Sequence, residues 1–236
     1  PPRGSQATGA CSKVSDFVKS EDARALSERE NTLDDREAQL AAAAVSTIKM
    51  GRTQRAERPP LTRAALDTLD GSFMEVTLER QDILAYLFVS AVRQDDLPGQ
   101  VVQWRTEDNI TLTTRNGVLI STRGFGGDMM SSAVQVADGV TGPASGGEKV
   151  HMIRTGDLEE VALVLACDLE NLGPAPVEIV EVVHPTTHMR ETCVTADGGR
   201  ITNDYWVDPR AGLVWQSQQW AGPHVGYVRM RRLTTG

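Results

Sequence analysis

Several groups of side chains in this 236-residue chain have the type and spacing to do chemistry. His184 and His188 stand four apart in HPTTH. On a helix that spacing makes a metal pair, but Pro185 and the β-branched Thr186 and Thr187 argue for a strand or bulge. There residues i and i+4 lie far apart along one face. Cys167 and Cys193 contribute no CxxC, so no metal ion is expected. The glycine-rich STRGFGGDMM, Ser121 to Met130, lacks the Lys-Ser/Thr pair that opens the helix of a phosphate loop. It reads best as a bend where a strand leaves its sheet, with Asp128 bonded to nearby amides. A ligand rim made by Arg123 and Asp128 is the alternative. No Gly-x-Ser-x-Gly elbow and no HExxH occurs. No nucleophile, base or cofactor is nominated, so no catalytic residue is expected.

The aromatic residues pose a sharper question. Aromatics make up 5% of the chain, yet Trp206, Trp215 and Trp220, three of its four tryptophans, fall within NDYWVDPRAGLVWQSQQWAGP. Asp208, Pro209 and Gly212 mark a hairpin turn between the first two. In regular register Trp215 and Trp220, five apart, face opposite sides of a strand, so the three do not form one sugar platform without a bulge. Two are expected in the core and one exposed. Gln216 and Gln218, with Ser217 and Gln219, form a polar patch suited to a hydroxyl-rich ligand or the rim of a protein interface.

The cysteines speak to compartment. PPRGS at the start reads as a protease-site scar and is set aside. In the following ATGAC, the GAC resembles the end of a bacterial lipobox, in which a small residue precedes the cysteine that becomes the lipidated N-terminus. Cys11 is expected to carry that lipid, against the plainer reading of a surface cysteine in an arm. Cys167 and Cys193 would then meet in an oxidising compartment, and a disulfide between them is expected. The formal charge of −8 and the lack of a basic stripe exclude a nucleic-acid partner. No run approaches the ~20 apolar residues of a membrane span.

These residues must be held by elements the pattern lets one place. Residues 6–58 read as an anchor linker and charged helical arm, with Ser20 and the Thr32/Asp35 pair as caps and a thin Leu26, Leu33, Leu40 stripe too poor for a coiled-coil seam. Pro59 and Pro60 break it. Thr62 caps a short helix, RAALDTL. From Phe73 the period shifts towards two. SFMEVTLER alternates, and AYLFVSAV is a continuous apolar run expected to be a buried strand. VVQWRTEDNITLTTRNGVLISTRG gives three strands, turning at Glu107 to Asn109 and at Asn116-Gly117, the residue pair preferred by type I′ hairpins. HMIRTGDLEEVALVLACDLENLG gives a strand, a turn and a long strand. PVEIVEVVHPTTHMRETCVT gives a strand pair or one bent strand. The rest is a meander turning at Asp197 to Gly199 and Asp208 to Gly212, then a last strand in HVGYVRMRRL. The expected fold of residues 59–236 is mainly β: an antiparallel curled sheet, a partly open barrel or a sandwich.

Four of these segments together, PLTRAALDTLDGSFMEV, QWRTEDNITLTTRNGVLISTRGFGGDMMS, RETC and NDYWVDPRAGLVWQSQQWAGP, resemble the YjbF/GfcB family of outer-membrane lipoproteins from exopolysaccharide and group 4 capsule operons. The likeness runs from about Leu61 to Leu233, and the charged arm is not part of it. The resemblance implies a domain on the periplasmic face of the outer membrane, tethered through Cys11, and a secretion accessory rather than an enzyme. It implies an outer-membrane β-barrel of the YjbH/GfcD type as partner, with a periplasmic polysaccharide-export protein and the polysaccharide as further candidates. Trp206, Trp215, Trp220, Gln216, Gln218, Arg123 and Asp128 are the candidate contact residues.

Overall fold

The structure, a computed structural model, describes residues 61–154 and 159–235. The arm with Cys11, Ser20, Thr32 and Asp35, the Pro59–Pro60 break and the 155–158 turn lie outside the described residues. Helix α1 (Arg63–Leu66) is capped by Thr62, whose Oγ1 accepts from the Ala65 amide at 3.3 Å. It stops short of the RAALDTL span because Thr68 Oγ1 donates to the Ala65 carbonyl, which ends the turn. No helix among the described residues is long and apolar enough to cross a membrane.

Fourteen strands follow: β1 (Phe73–Leu78), β2 (Ile83–Arg93), β3 (Val101–Arg105), β4 (Thr111–Arg115), β5 (Val118–Arg123), β6 (Met129–Ala133), β7 (Gly147–Arg154), β8 (Glu160–Pro174), β9 (Val177–Ile179), β10 (Val182–His184), β11 (Thr187–Thr195), β12 (Arg200–Asp208), β13 (Leu213–Trp220) and β14 (Tyr227–Arg232). Twelve of them form one antiparallel sheet ordered β5-β4-β3-β2-β1-β14-β13-β12-β11-β8-β7-β6. The sheet curls until its two edge strands, β5 and β6, come side by side without a shared ladder. The result is a nearly closed barrel, one of the expected forms.

Asn116 and Gly117 take φ of 48° and 84°, the left-handed pair that a two-residue hairpin needs. A Cβ on Gly117 would lie 2.4 Å from Val214 Cγ2, so this turn also requires glycine for close approach to β13. Inside the barrel, Met74, Val76, Leu87, Trp104, Leu112, Leu119, Met129, Ile153, Val228 and Met230 form the main cluster. Arg232 crosses the Trp104 ring at 5.3 Å, and Thr114 meets the indole Nε1.

Two readings need correction. The apolar run in β2 is not a buried strand: Leu87 alone is buried, and Val92 is 54% exposed. One face of the run looks into the barrel and the other forms its outer wall, where Arg105 covers Phe88 at 5.2 Å. An unbroken apolar run therefore did not mean burial on both faces. The HPTTH region is neither a simple pair nor one bent strand but three strands. Hairpin β9–β10 is a separate two-stranded sheet, and β11 then joins the barrel. Its turn uses Val180 and Glu181, both at positive φ, residue types that no turn rule flags. Val177 and Ile179 of this hairpin pack with Leu66 of α1, Trp215 and Leu233 into a second core.

Candidate functional site

Strand alternation places the chemically capable residues. In β11, Cys193 and Glu191 share the inward phase; opposite them in β8 stand Cys167 and Leu169. Cys167 and Cys193 are bonded as a disulfide, joining two adjacent antiparallel strands as the expectation required. Their sulfurs lie within 4.8 Å of a Glu191 carboxylate oxygen, but a disulfide leaves neither sulfur as a thiolate ligand.

Glu191 is 1% exposed and is the hub of a buried polar belt. Its Oε2 accepts from Lys149 Nζ of β7 at 2.7 Å, from Asn203 Nδ2 of β12 at 2.8 Å, and lies 3.3 Å from the Tyr205 hydroxyl. That hydroxyl also lies 3.2 Å from Gln219 Oε1 of β13, so its single proton serves one acceptor at a time. Gln219 Oε1 accepts from the Leu119 amide of β5 at 2.8 Å, and its Nε2 donates to the Gly117 carbonyl at 2.9 Å and to Ser217 Oγ at 3.0 Å. Asn203 Oδ1 accepts from the Trp220 amide at 2.8 Å. Burial, then the negative charge of Glu191, pushes the Tyr205 phenol well above its ordinary range. Nearby His151 is held down to about 3 by burial and by Lys149. The members of this belt satisfy one another, which suits them to linking strands. Sequence reading missed them. The signal was present in the strand phase: Glu191 alternates with Cys193, and Asn203 and Tyr205 alternate with Ile201.

The three tryptophans part company. Trp206 pairs across β12–β13 with Gln216, and Asp204 with Gln218, so Trp206, Gln216 and Gln218 are brought together on the outer face. His188 stacks on Trp206 at 4.6 Å between ring centroids, and its Nε2 lies 2.7 Å from Asp204 Oδ1, which Arg190 also engages. Gln218 donates to Glu79 Oε2 at 2.7 Å. Trp215 shares the phase of buried Ser217 and Gln219, is itself buried, and is stacked by His184 at 3.6 Å. Burial and the Arg63 charge hold His184 below the usual histidine range against the opposing pull of Asp208. Trp220 packs on the main cluster and on the disulfide cluster, with its ring 6.0 Å from His151. One exposed tryptophan was expected; Trp206 and Trp220 are half-buried and Trp215 is buried. The two histidines of HPTTH each stack on a different tryptophan, which nothing in their spacing foretold.

Asp128 accepts from the Gly124 and Phe125 amides and from Thr122 Oγ1, at 2.9, 3.0 and 3.1 Å. Its carboxylate is thus occupied by the bend. Arg123, at the end of β5, stays exposed and contacts Met130 Sδ at 3.2 Å. Asp128 is thus tied into the bend, and Arg123 is not among its hydrogen-bond partners.

The outer wall of β7, β8 and β11 has a different character. Because Lys149, His151, Leu165, Cys167 and Cys193 point inward, their neighbours point out. Val150 stands opposite Val164, Met152 opposite Ala162, and Val194 opposite Ala166. Val164 and Val194 are 51% and 40% exposed. These six side chains make an apolar strip across three strands.

A family model described as group 4 capsule polysaccharide lipoprotein gfcB, YjbF, matches residues 36–233. The match begins inside the charged segment that sequence reading had left out of the likeness. The crystal structure of the hypothetical lipoprotein YmcC from Escherichia coli K12 is similar in fold, with a TM-score of 0.62 at 17% identity, over 80% of this chain and 96% of that one. No curated protein matches the chain.

Proposed function

Because the chain belongs to the YjbF/GfcB family of group 4 capsule polysaccharide lipoproteins, we propose that it is a non-catalytic accessory of exopolysaccharide or capsule secretion. In this reading it is anchored through Cys11 on the periplasmic face of the outer membrane and docks to the β-barrel export protein there. The observation that carries the reading is the apolar strip on β7, β8 and β11. Val164 and Val194, with Ala166 opposite Val194, hold apolar surface against water, and exposed apolar patches mark protein-contact surfaces. The tryptophan–glutamine surface, by contrast, offers only Trp206, half-buried under His188. A membrane tether would hold the strip beside any partner in the same leaflet, so a weak contact would still be occupied.

The test is capture of the β-barrel from detergent-solubilised outer membranes by wild type and by a Val164→Glu, Val194→Glu double variant of wild-type circular dichroism. Placing charge in the strip is expected to cut capture about tenfold or more. Equal capture by both proteins sinks the docking surface. Incubation with the cognate polymer is expected to leave its size distribution unchanged; shortened chains would make the protein a glycan-modifying enzyme.

A further inference from the structure

The outer wall formed by β2 to β6 holds a groove of about 310 Å³, at the lower end of the range for ligand pockets. Its origin lies in the register. Gln103, Thr113 and Ser121 stand side by side across β3, β4 and β5, and Thr111 stands beside Arg123 in the next outward row. Arg93 closes the groove from β2, and Ser131 from β6. Among the described residues, neither Arg93 nor Arg123 lies within ion-pair distance of a carboxylate. Arg115 differs: Asp95 binds it in a two-pronged pair at 2.6 and 2.8 Å. No Asp or Glu lines the groove, in a chain whose formal charge is −8.

We propose that this groove binds a carboxylate-bearing sugar of an acidic polysaccharide. The two guanidinium groups supply the charge complement and the planar fork that matches a carboxylate. The amide of Gln103 and the hydroxyls of Thr113, Ser121 and Ser131 supply donors and acceptors for ring hydroxyls. No aromatic ring lines the groove, so recognition runs through hydrogen bonds and charge rather than stacking. An anionic membrane is the poorer fit, because headgroup recognition draws on clusters of about four to eight basic residues, and here two lie in a recess. The source of the polymer rests on the capsule-pathway reading; the site itself does not. The groove and the apolar strip lie on different strands, so their variants separate the two proposals.

The probe is a hexamer of galacturonic acid, titrated into ¹⁵N-labelled protein at low salt. Amide shifts are expected on residues 91–93, 101–103, 111–113, 121–123 and 130–132, fading as salt screens the charges. An Arg93→Gln, Arg123→Gln double variant should bind about tenfold more weakly or worse. Arg229→Gln, which removes an exposed arginine of β14, and Val164→Glu should bind as wild type. The proposal falls if no shift occurs, if neutral maltohexaose shifts the same amides as strongly, or if Arg229→Gln weakens binding as much as the double variant. It falls equally if phosphatidylglycerol vesicles bind through these arginines while the hexamer does not.

Discussion

His151 shows how far the barrel interior departs from water. It is 3% exposed, faces Trp220, and its Nδ1 has no hydrogen-bond partner. Burial first, and the neighbouring Lys149 second, lowers it from an ordinary 6.5 to about 3. The folded protein therefore keeps the ring neutral where the unfolded chain protonates it. Between those two values the unfolded state binds more protons, so stability is full above about pH 6.5 and declines as pH falls towards 3. The slope from this group alone is at most ~1.4 kcal/mol per pH unit. His151→Leu is expected to flatten the acid limb. Urea midpoints for wild type and variant at about pH 4, 5, 6 and 7 check it, since carboxylates titrate alike in both proteins. Parallel pH profiles would mean that the ring is not held neutral. The same interior keeps Lys149 and Glu191 as a charged pair at 2.7 Å. Breaking such a pair costs far more than the pair itself contributes, because one charge stays behind.

At the scale of elements, β8 and β11 are joined twice, by their ladder and by the Cys167–Cys193 disulfide, whose ends are 26 residues apart. In the loop-entropy model a bridge of that span restricts the unfolded chain by about 3.5 kcal/mol. The Cys167→Ala, Cys193→Ala protein should lose about 2–4 kcal/mol in denaturant unfolding, and wild type under reducing conditions should match it. An unchanged midpoint would show that the bridge does not form in the purified protein. This pairing was legible because both cysteines end strand-like runs. The Asn116-Gly117 hairpin was legible because its residue pair carries the left-handed conformation openly. Hairpin β9–β10 was not, because Val180 and Glu181 carry a left-handed turn without the residues that favour one. Nor could the sequence show that α1 and this hairpin gather around Trp215. That contact brings α1 to residues more than a hundred positions away, and its partners are ordinary Leu, Val and Ile. The outward strip on Val164 and Val194 was masked for a related reason. VALVLAC reads as uniformly apolar, and only the barrel's inside and outside divide it.

At the scale of the whole barrel, the sheet closes without a complete ladder. β5 and β6 end the twelve-stranded sheet and do not pair with each other, which leaves edge amides and carbonyls of the kind that proteins normally cover. Gln219 covers part of the β5 edge from the opposite wall: its amide accepts from Leu119 N and donates to Gly117 O, as a neighbouring strand would. Gln219 in turn contacts Tyr205, which reaches Glu191, which holds Lys149 of β7. A polar chain thus runs through the interior from β5 to β7, the strands on either side of β6, and draws the seam together. Gln219→Leu keeps much of the volume but leaves the buried Leu119 amide and the half-buried Gly117 carbonyl without this partner. The expected loss is about 2–4 kcal/mol. Its distribution is the stronger test. If the belt closes the barrel, native-state hydrogen exchange should quicken first in β5 and β6, through local opening of the seam, while β11 to β13 retain protection. A loss spread evenly over all twelve strands would mean that Gln219 supports the core in general and that the seam is held by the packing of Leu119 and Met129 alone.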